Sequence, residues 1–225
     1  MRRNFVMLLF SMFATTHAAE APVPVVKEPY HQVVFENDYV RVIDVQIPPA
    51  ITTRYHTHDV ASVIVYLTKS TNASQTWGES ITTPRQTTPG DSRYAPYDEK
   101  ALSHRVTNTG PNLFRVFDIE LIRPVPAAGP FPLKPTAAIE PRWEQKRVRS
   151  SLIRLDPAAR CDVPGSACAH LLINIDAAVT ATARGNARTD RTLKSQEYVF
   201  FPAQTGFQIR NPGSQKSQSV LLELK

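Results

Sequence analysis

Only two cysteines occur in the 225 residues, so a disulfide-dense scaffold and an all-cysteine zinc framework are excluded. Phosphate-cradling glycine loops, Ser-His-Asp elbows and dinucleotide fingerprints are absent, which argues against P-loop nucleotidases, α/β-hydrolases and nicotinamide dehydrogenases. Beyond the N-terminus no segment keeps helical periodicity, so a helical bundle is excluded too. The formal net charge of +6 comes from scattered basic residues, with one modest cluster at Arg142, Lys146, Arg147 and Arg149. No basic stripe is interleaved with aromatics, and no nucleic-acid partner is expected.

The apolar run from Phe5 to Ala14 is too short to span a bilayer comfortably, so no stable membrane anchor is expected. Arg2 and Arg3 precede it, and small residues around Ala18, Ala19 and Ala21 offer cleavage sites, the pattern of a signal peptide over residues 1–21. Arg2-Arg3-Asn4-Phe5-Val6 also resembles a twin-arginine start. The expectation is a periplasmic or secreted protein. In such an oxidising compartment Cys161 and Cys168 are expected to form a structural disulfide, because their spacing is not that of a C-x-x-C redox or metal pair.

What is abundant is strand-forming sequence. Tyr39 to Ile47, Ala61 to Thr68, Leu113 to Ile122, Ala169 to Asp176, Glu197 to Phe201 and Ser219 to Leu224 are rich in Val, Ile, Leu, Phe or Tyr and bounded by turn residues. Residues 124–142 are proline-rich and read as a stiff linker between two units, 28–123 and 143–225. The fold class is therefore all-β, with each unit long enough to bury a core.

His56-Thr57-His58 places two imidazoles on one face of an extended segment, and His104 on a later strand can join them. Three such ligands fit one divalent transition metal and leave positions open. The surrounding residues resemble the cupin superfamily. Its first motif, G-x5-H-x-H-x3-4-E-x6-G, matches at His56 and His58, with Ala50 in the glycine place. Ser62 and Val63 stand where its glutamate falls. Its second motif, G-x5-P-x-G-x2-H-x3-N, matches at Gly90, Pro96 and, after three extra residues, His104 and Asn108; Asp98 replaces the inner glycine.

A second copy follows. His104-x3-Asn108-Thr109-Gly110 aligns on Phe207-x3-Asn211-Pro212-Gly213, and Val40 through Ala50 align on Val148 through Ala158. Pro164 and Ser166 replace the histidine pair, and Phe207 replaces His104. The chain thus resembles a bicupin of two jelly-roll barrels, one bearing a metal motif and one degenerate. His31 and His170 read as surface or satisfied core residues, and Asp59 as a group on the outer face.

Strand alternation puts Ser62, Ile64 and Tyr66 on one face, so Ser62 and Tyr66 are candidates for a substrate pocket. Glu79 is the carboxylate between the motifs that could stand in for the lost ligand; Trp77, Arg85 and Arg93 lie in the same stretch. The resemblance implies a metal among Fe, Mn, Ni and Zn, a small-molecule substrate or ligand, and an activity of the dioxygenase type. Isomerase, lyase or hydrolase chemistry and a non-catalytic ligand-binding role stand as alternatives, and a homodimer is left open.

Overall fold

The computed structural model describes residues 21–125, 133–184 and 189–225. The segment read as a signal peptide lies outside them except for Ala21. The first barrel contains β1 (Val23–Pro24), β2 (His31–Glu36), β3 (Val40–Ile47), β4 (His56–His58) and β5 (Ser62–Tyr66). It continues with β6 (Thr71–Thr76), β7 (Arg85–Gln86), β8 (Ser92–Ala95), β9 (Leu102–Asn108) and β10 (Phe114–Leu121). The second has β11 (Ile139–Glu144), β12 (Val148–Leu155), β13 (Arg160–Val163), β14 (Ala169–Asn174) and β15 (Val179–Arg184). It ends with β16 (Thr189–Leu193), β17 (Tyr198–Phe201), β18 (Gly206–Arg210) and β19 (Ser217–Leu224). One 3-10 turn, Val25–Lys27, is the single helical element among the described residues, and no described helix is long and apolar enough to cross a membrane.

Four sheets result, ordered β1-β4-β9-β6-β7 and β2-β3-β10-β5-β8 in the first barrel, and β11-β12-β19-β14-β17 and β13-β18-β15-β16 in the second. Each pair closes a jelly roll of the cupin type. The β2 and β11 sheets lie between the barrels and share a core. Val40, Val42, Val63, Val65, Phe117 and Ile119 of the first pack with Leu152, Leu171, Ile173, Val220 and Leu222 of the second. Because β5 is buried on both faces, it reads as a continuous apolar run: Val63 and Val65 face the neighbouring barrel, whereas Ile64 and Tyr66 face their own interior.

The repeat is visible atom by atom. Ala50 and Ala158, at equivalent turns, both adopt left-handed backbone with φ of 61° and 62°. Asn108 Nδ2 donates to the carbonyls of Ile47 and Asn112 while its Oδ1 accepts from Gly110 N. Asn211 repeats this with Leu155, Gln215 and Gly213. Arg41 pairs with Glu120 at 2.7 Å, and Arg149 with Glu223 at 2.6 Å. The bulge between Val33 and Phe35 recurs between Pro141 and Trp143, where a proline is tolerated because the ladder is already interrupted. Strand β11 therefore begins inside the proline-rich stretch, of which residues 126–132 lie outside the described residues.

The expected disulfide is absent. Cys161 and Cys168 are both free and buried. Cys161 lies on β13 and packs into the second barrel's interior, whereas Cys168 immediately precedes β14 in the opposite sheet. Burial raises both thiols, Cys161 to about 11, so they behave as small apolar side chains.

Candidate metal centre

His56 and His58 stand on β4, and His104 stands directly across the ladder from His56 on β9. Alternation turns both β4 histidines into the barrel, where all three are buried at 0%, 4% and 8% exposure. One nitrogen from each lies within 4.8 Å of the others. Ring centroids are 4.7 to 5.1 Å apart, so the imidazoles converge instead of stacking.

The far side of each ring is held from behind. His56 Nδ1 lies 3.0 Å from the Arg54 carbonyl oxygen, and His104 Nδ1 lies 3.0 Å from Ser74 Oγ. His58 Nδ1 approaches Asp118 Oδ2 at 3.1 Å, a charge contact that is not aligned as a hydrogen bond. This leaves the Nε2 atoms facing inward. His56 Nε2 is buried with no hydrogen-bond partner, and His58 Nε2 and His104 Nε2 are 3.1 Å apart. Two imidazoles bound at right angles to one ion, with metal–nitrogen bonds of about 2.0–2.1 Å, have about this separation. Three converging inward nitrogens, one of them without any hydrogen-bond partner and each ring with a contact behind it, are what a divalent cation requires.

Electrostatics agree with the geometry. Burial pushes His56 down to about 2, reinforced by the charges of His31, His104 and His58 and opposed by the Arg54 carbonyl. His104 is pushed down to about 3 by burial and then by His58, His31 and Arg93, with Asp118 opposing. Both rings are neutral near pH 7 and offer lone pairs.

A cavity of about 300 Å³ opens beside the triad. Val45, Ile64, Phe114 and Val116 give it apolar walls, and Tyr66, Arg93 and Tyr97 supply polar groups. Tyr97 stacks on His58 at 4.8 Å. Of the pocket residues singled out from sequence, Tyr66 and Arg93 line this cavity. Ser62 is fully buried on the same strand, but its hydroxyl donates to the Val60 carbonyl at 3.0 Å and it is not part of the wall. Glu79 is exposed in the turn after β6 and belongs to neither the cavity nor the histidine group, because that turn carries it to the rim. Asp59 is exposed as well.

His31 is buried and hydrogen-bonded, within its sequence reading as a surface or satisfied core residue, but it also faces the histidine triad. It lines the cavity with its ring 4.5 Å from His56, and a buried carboxylate, Glu28 Oε2, holds its Nδ1 at 2.6 Å. Asp118 and Tyr97 also went unmarked. Asp118 left one signal, a carboxylate that alternates with Phe114 and Val116 on one face of the run Phe114–Leu121.

No protein-family model matches the sequence, and no curated protein matches it significantly. Solved structures do match, at the level of fold. AerE from Microcystis aeruginosa superposes with a TM-score of 0.59 at 11% identity, covering 88% of this chain and 98% of its own. A Bacillus subtilis oxalate decarboxylase variant gives 0.60 at 11%, covering 87% of this chain and 72% of its own. A cupin 2 conserved barrel domain protein from Leptotrichia buccalis gives 0.53 at 9%, covering 87% and 88%. The chain thus has the bicupin fold, with a three-histidine cluster in its first barrel suited to a divalent metal.

Proposed function

We propose that this chain is an exported cupin metalloenzyme, an oxidoreductase of the dioxygenase type acting on a small molecule at the first barrel. The observation that carries this reading is the convergence of three buried imidazoles on one cavity, with no carboxylate in the ligand group. His56, His58 and His104 would hold the ion, which supplies Lewis acidity and, as Fe(II) or Mn(II), one-electron chemistry. Manganese enters as the second metal to test because Mn(II) centres are described for the structurally similar oxalate decarboxylase of Bacillus subtilis. The protein's share of the work is positional. The Arg54 carbonyl and Ser74 fix two rings, and Asp118 places a negative charge behind the third. The apolar walls limit water around a bound substrate. Export is supported by Arg2, Arg3 and the apolar run Phe5–Ala14.

The test is reconstitution with Fe(II) or Mn(II) and measurement of dioxygen uptake over a panel of small thiols and organic acids, with His104→Ala as control. Uptake above the control by at least tenfold supports the reading. Binding of a panel member without turnover would instead make the protein a non-catalytic ligand-binding cupin.

A further inference from the structure

The second barrel serves as an internal control for the first, because strand register fixes which positions correspond. His31 pairs with Val45, and its counterpart Ile139 pairs with Ile153. Arg93 pairs with Ile64, and its counterpart Val199 pairs with Leu172. Asp118 also pairs with Ile64, and its counterpart Leu221 with Leu172. His104 corresponds to Phe207. Every one of these polar positions is apolar and buried in the second barrel: Ile139, Val199, Leu221 and Phe207 all belong to its interior cluster. Groups that serve the fold behave oppositely, since Asn108, Glu120 and Arg41 persist as Asn211, Glu223 and Arg149. The comparison therefore sorts Arg93 with the metal site and not with the scaffold.

The surroundings of Arg93 say what it is for. It lines the cavity that the histidines share. Among the described residues no carboxylate pairs with it. Its polar neighbours are two phenols, with Nε 3.4 Å from Tyr66 Oη and Nη2 3.4 Å from Tyr97 Oη. These contacts are long, and a guanidinium carries five N–H donors, so most of its hydrogen-bonding capacity is unspent. Tyr97 in turn stacks on His58, which ties the guanidinium to the metal side of the cavity. The cavity wall carries a permanent cation, two phenolic donors and the three ligands for a doubly charged ion, and no carboxylate, so it favours an anionic guest.

We propose that Arg93, steadied by Tyr66 and Tyr97, anchors the carboxylate of a small organic acid whose other end faces His56, His58 and His104. This deepens the metalloenzyme reading and rests on it for the second contact point. The fork of the guanidinium matches a carboxylate bidentately, with the phenols adding donors at its edges. The cavity limits the acid to the room of about ten water molecules, at about 30 Å³ each.

Isothermal titration of the metal-loaded full chain tests this with acetate, malonate and succinate, and with malonamide as the uncharged isostere. At least one carboxylate should bind, and malonamide should bind at least tenfold more weakly than malonate. Arg93→Gln should lose tenfold or more in carboxylate affinity, Arg93→Lys should lose less, and Tyr66→Phe should lose a fewfold. Metal content should be unchanged in all three. The proposal is overturned if no carboxylate binds, if malonamide equals malonate, or if folded, metal-replete Arg93→Gln binds within twofold of wild type. Repeating the titration on chelator-stripped protein separates the two readings. Arg93-dependent binding by a protein that never takes up metal would remove the metalloenzyme and leave the anchor. A metal-loaded protein indifferent to Arg93→Gln would do the reverse.

Discussion

Replacing Phe207 with alanine probes whether the second barrel is a structural copy whose centre is filled by packing. Phe207 is 0% exposed, lies parallel to Phe201 with centroids 3.9 Å apart, and meets His170 at 5.5 Å. Truncating a buried phenylalanine costs about 3–5 kcal/mol, through lost transfer energy and the cavity left behind. The lost aromatic pair, about 0.5–1.5 kcal/mol beyond area, pushes the expectation toward the upper end. For a chain of this size each kcal/mol shifts Tm by about 2–4 °C, so Phe207→Ala should lower it by about 8–20 °C. Urea unfolding followed by circular dichroism measures the loss, and Phe207→Leu should fall in between. Elemental analysis of the same samples should give wild-type metal content, because the His56, His58 and His104 group lies in the other barrel. A loss under about 1 kcal/mol would show that the aromatic does not fill the centre, and parallel loss of metal would show that the barrels do not divide the two roles.

The purified protein should carry about one divalent metal per chain, and His56→Ala or His104→Ala should lose it by elemental analysis. His31→Ala should keep it, because its nitrogens lie outside the group of three within 4.8 Å. Metal-free protein should lose stability on acidification: the folded values of His56, His104 and His170 lie near 2, 3 and 4, below the ordinary 6.5. In that range the unfolded chain binds more protons, so stability is flat above about pH 7 and falls from about 6.5 downward; denaturant midpoints that rise on acidification would contradict this.

The histidine triad and the repeat were legible because both are written as spacing within single strands and turns. His56 and His58 share a face by alternation, and Asn108 and Asn211 mark the same turn. Alternation also placed Ile64 and Tyr66 on the cavity side correctly. What stayed hidden depends on contacts between distant strands. His31 sits on β2, where the residues that follow it are largely exposed, and its nearness to His56 arises only when two sheets face each other. Asp118 meets His58 across the barrel in the same way. The cysteine spacing carried no information on which sheet each sulfur would join, and compartment alone pointed to a bond that the fold does not make.

The first barrel buries polar atoms that the second shows to be dispensable for folding. His56 Nε2 and both Asp118 oxygens have no hydrogen-bond partner, and each unsatisfied buried group costs about 1–3 kcal/mol. A bound cation would relieve the histidine part of that cost, whereas Phe207 shows the apolar solution at the position of His104. His104→Phe exchanges the contacts of the imidazole with Ser74 and His58 for packing like that of Phe207, so it should be about as stable as metal-free wild type, yet less stable than the metal-loaded protein. Saturating metal at about 1,000 times its Kd contributes about 4 kcal/mol by linkage, a rise in Tm of about 8–16 °C. The measurement is a three-way thermal comparison of apo wild type, loaded wild type and His104→Phe, with Ser74 left in place to reveal any penalty from the hydroxyl that contacts His104 Nδ1. Should His104→Phe unfold well below apo wild type, the imidazole would be contributing packing or hydrogen bonding of its own. In that case the triad would be a structural cluster, not a site whose stability was given up for binding.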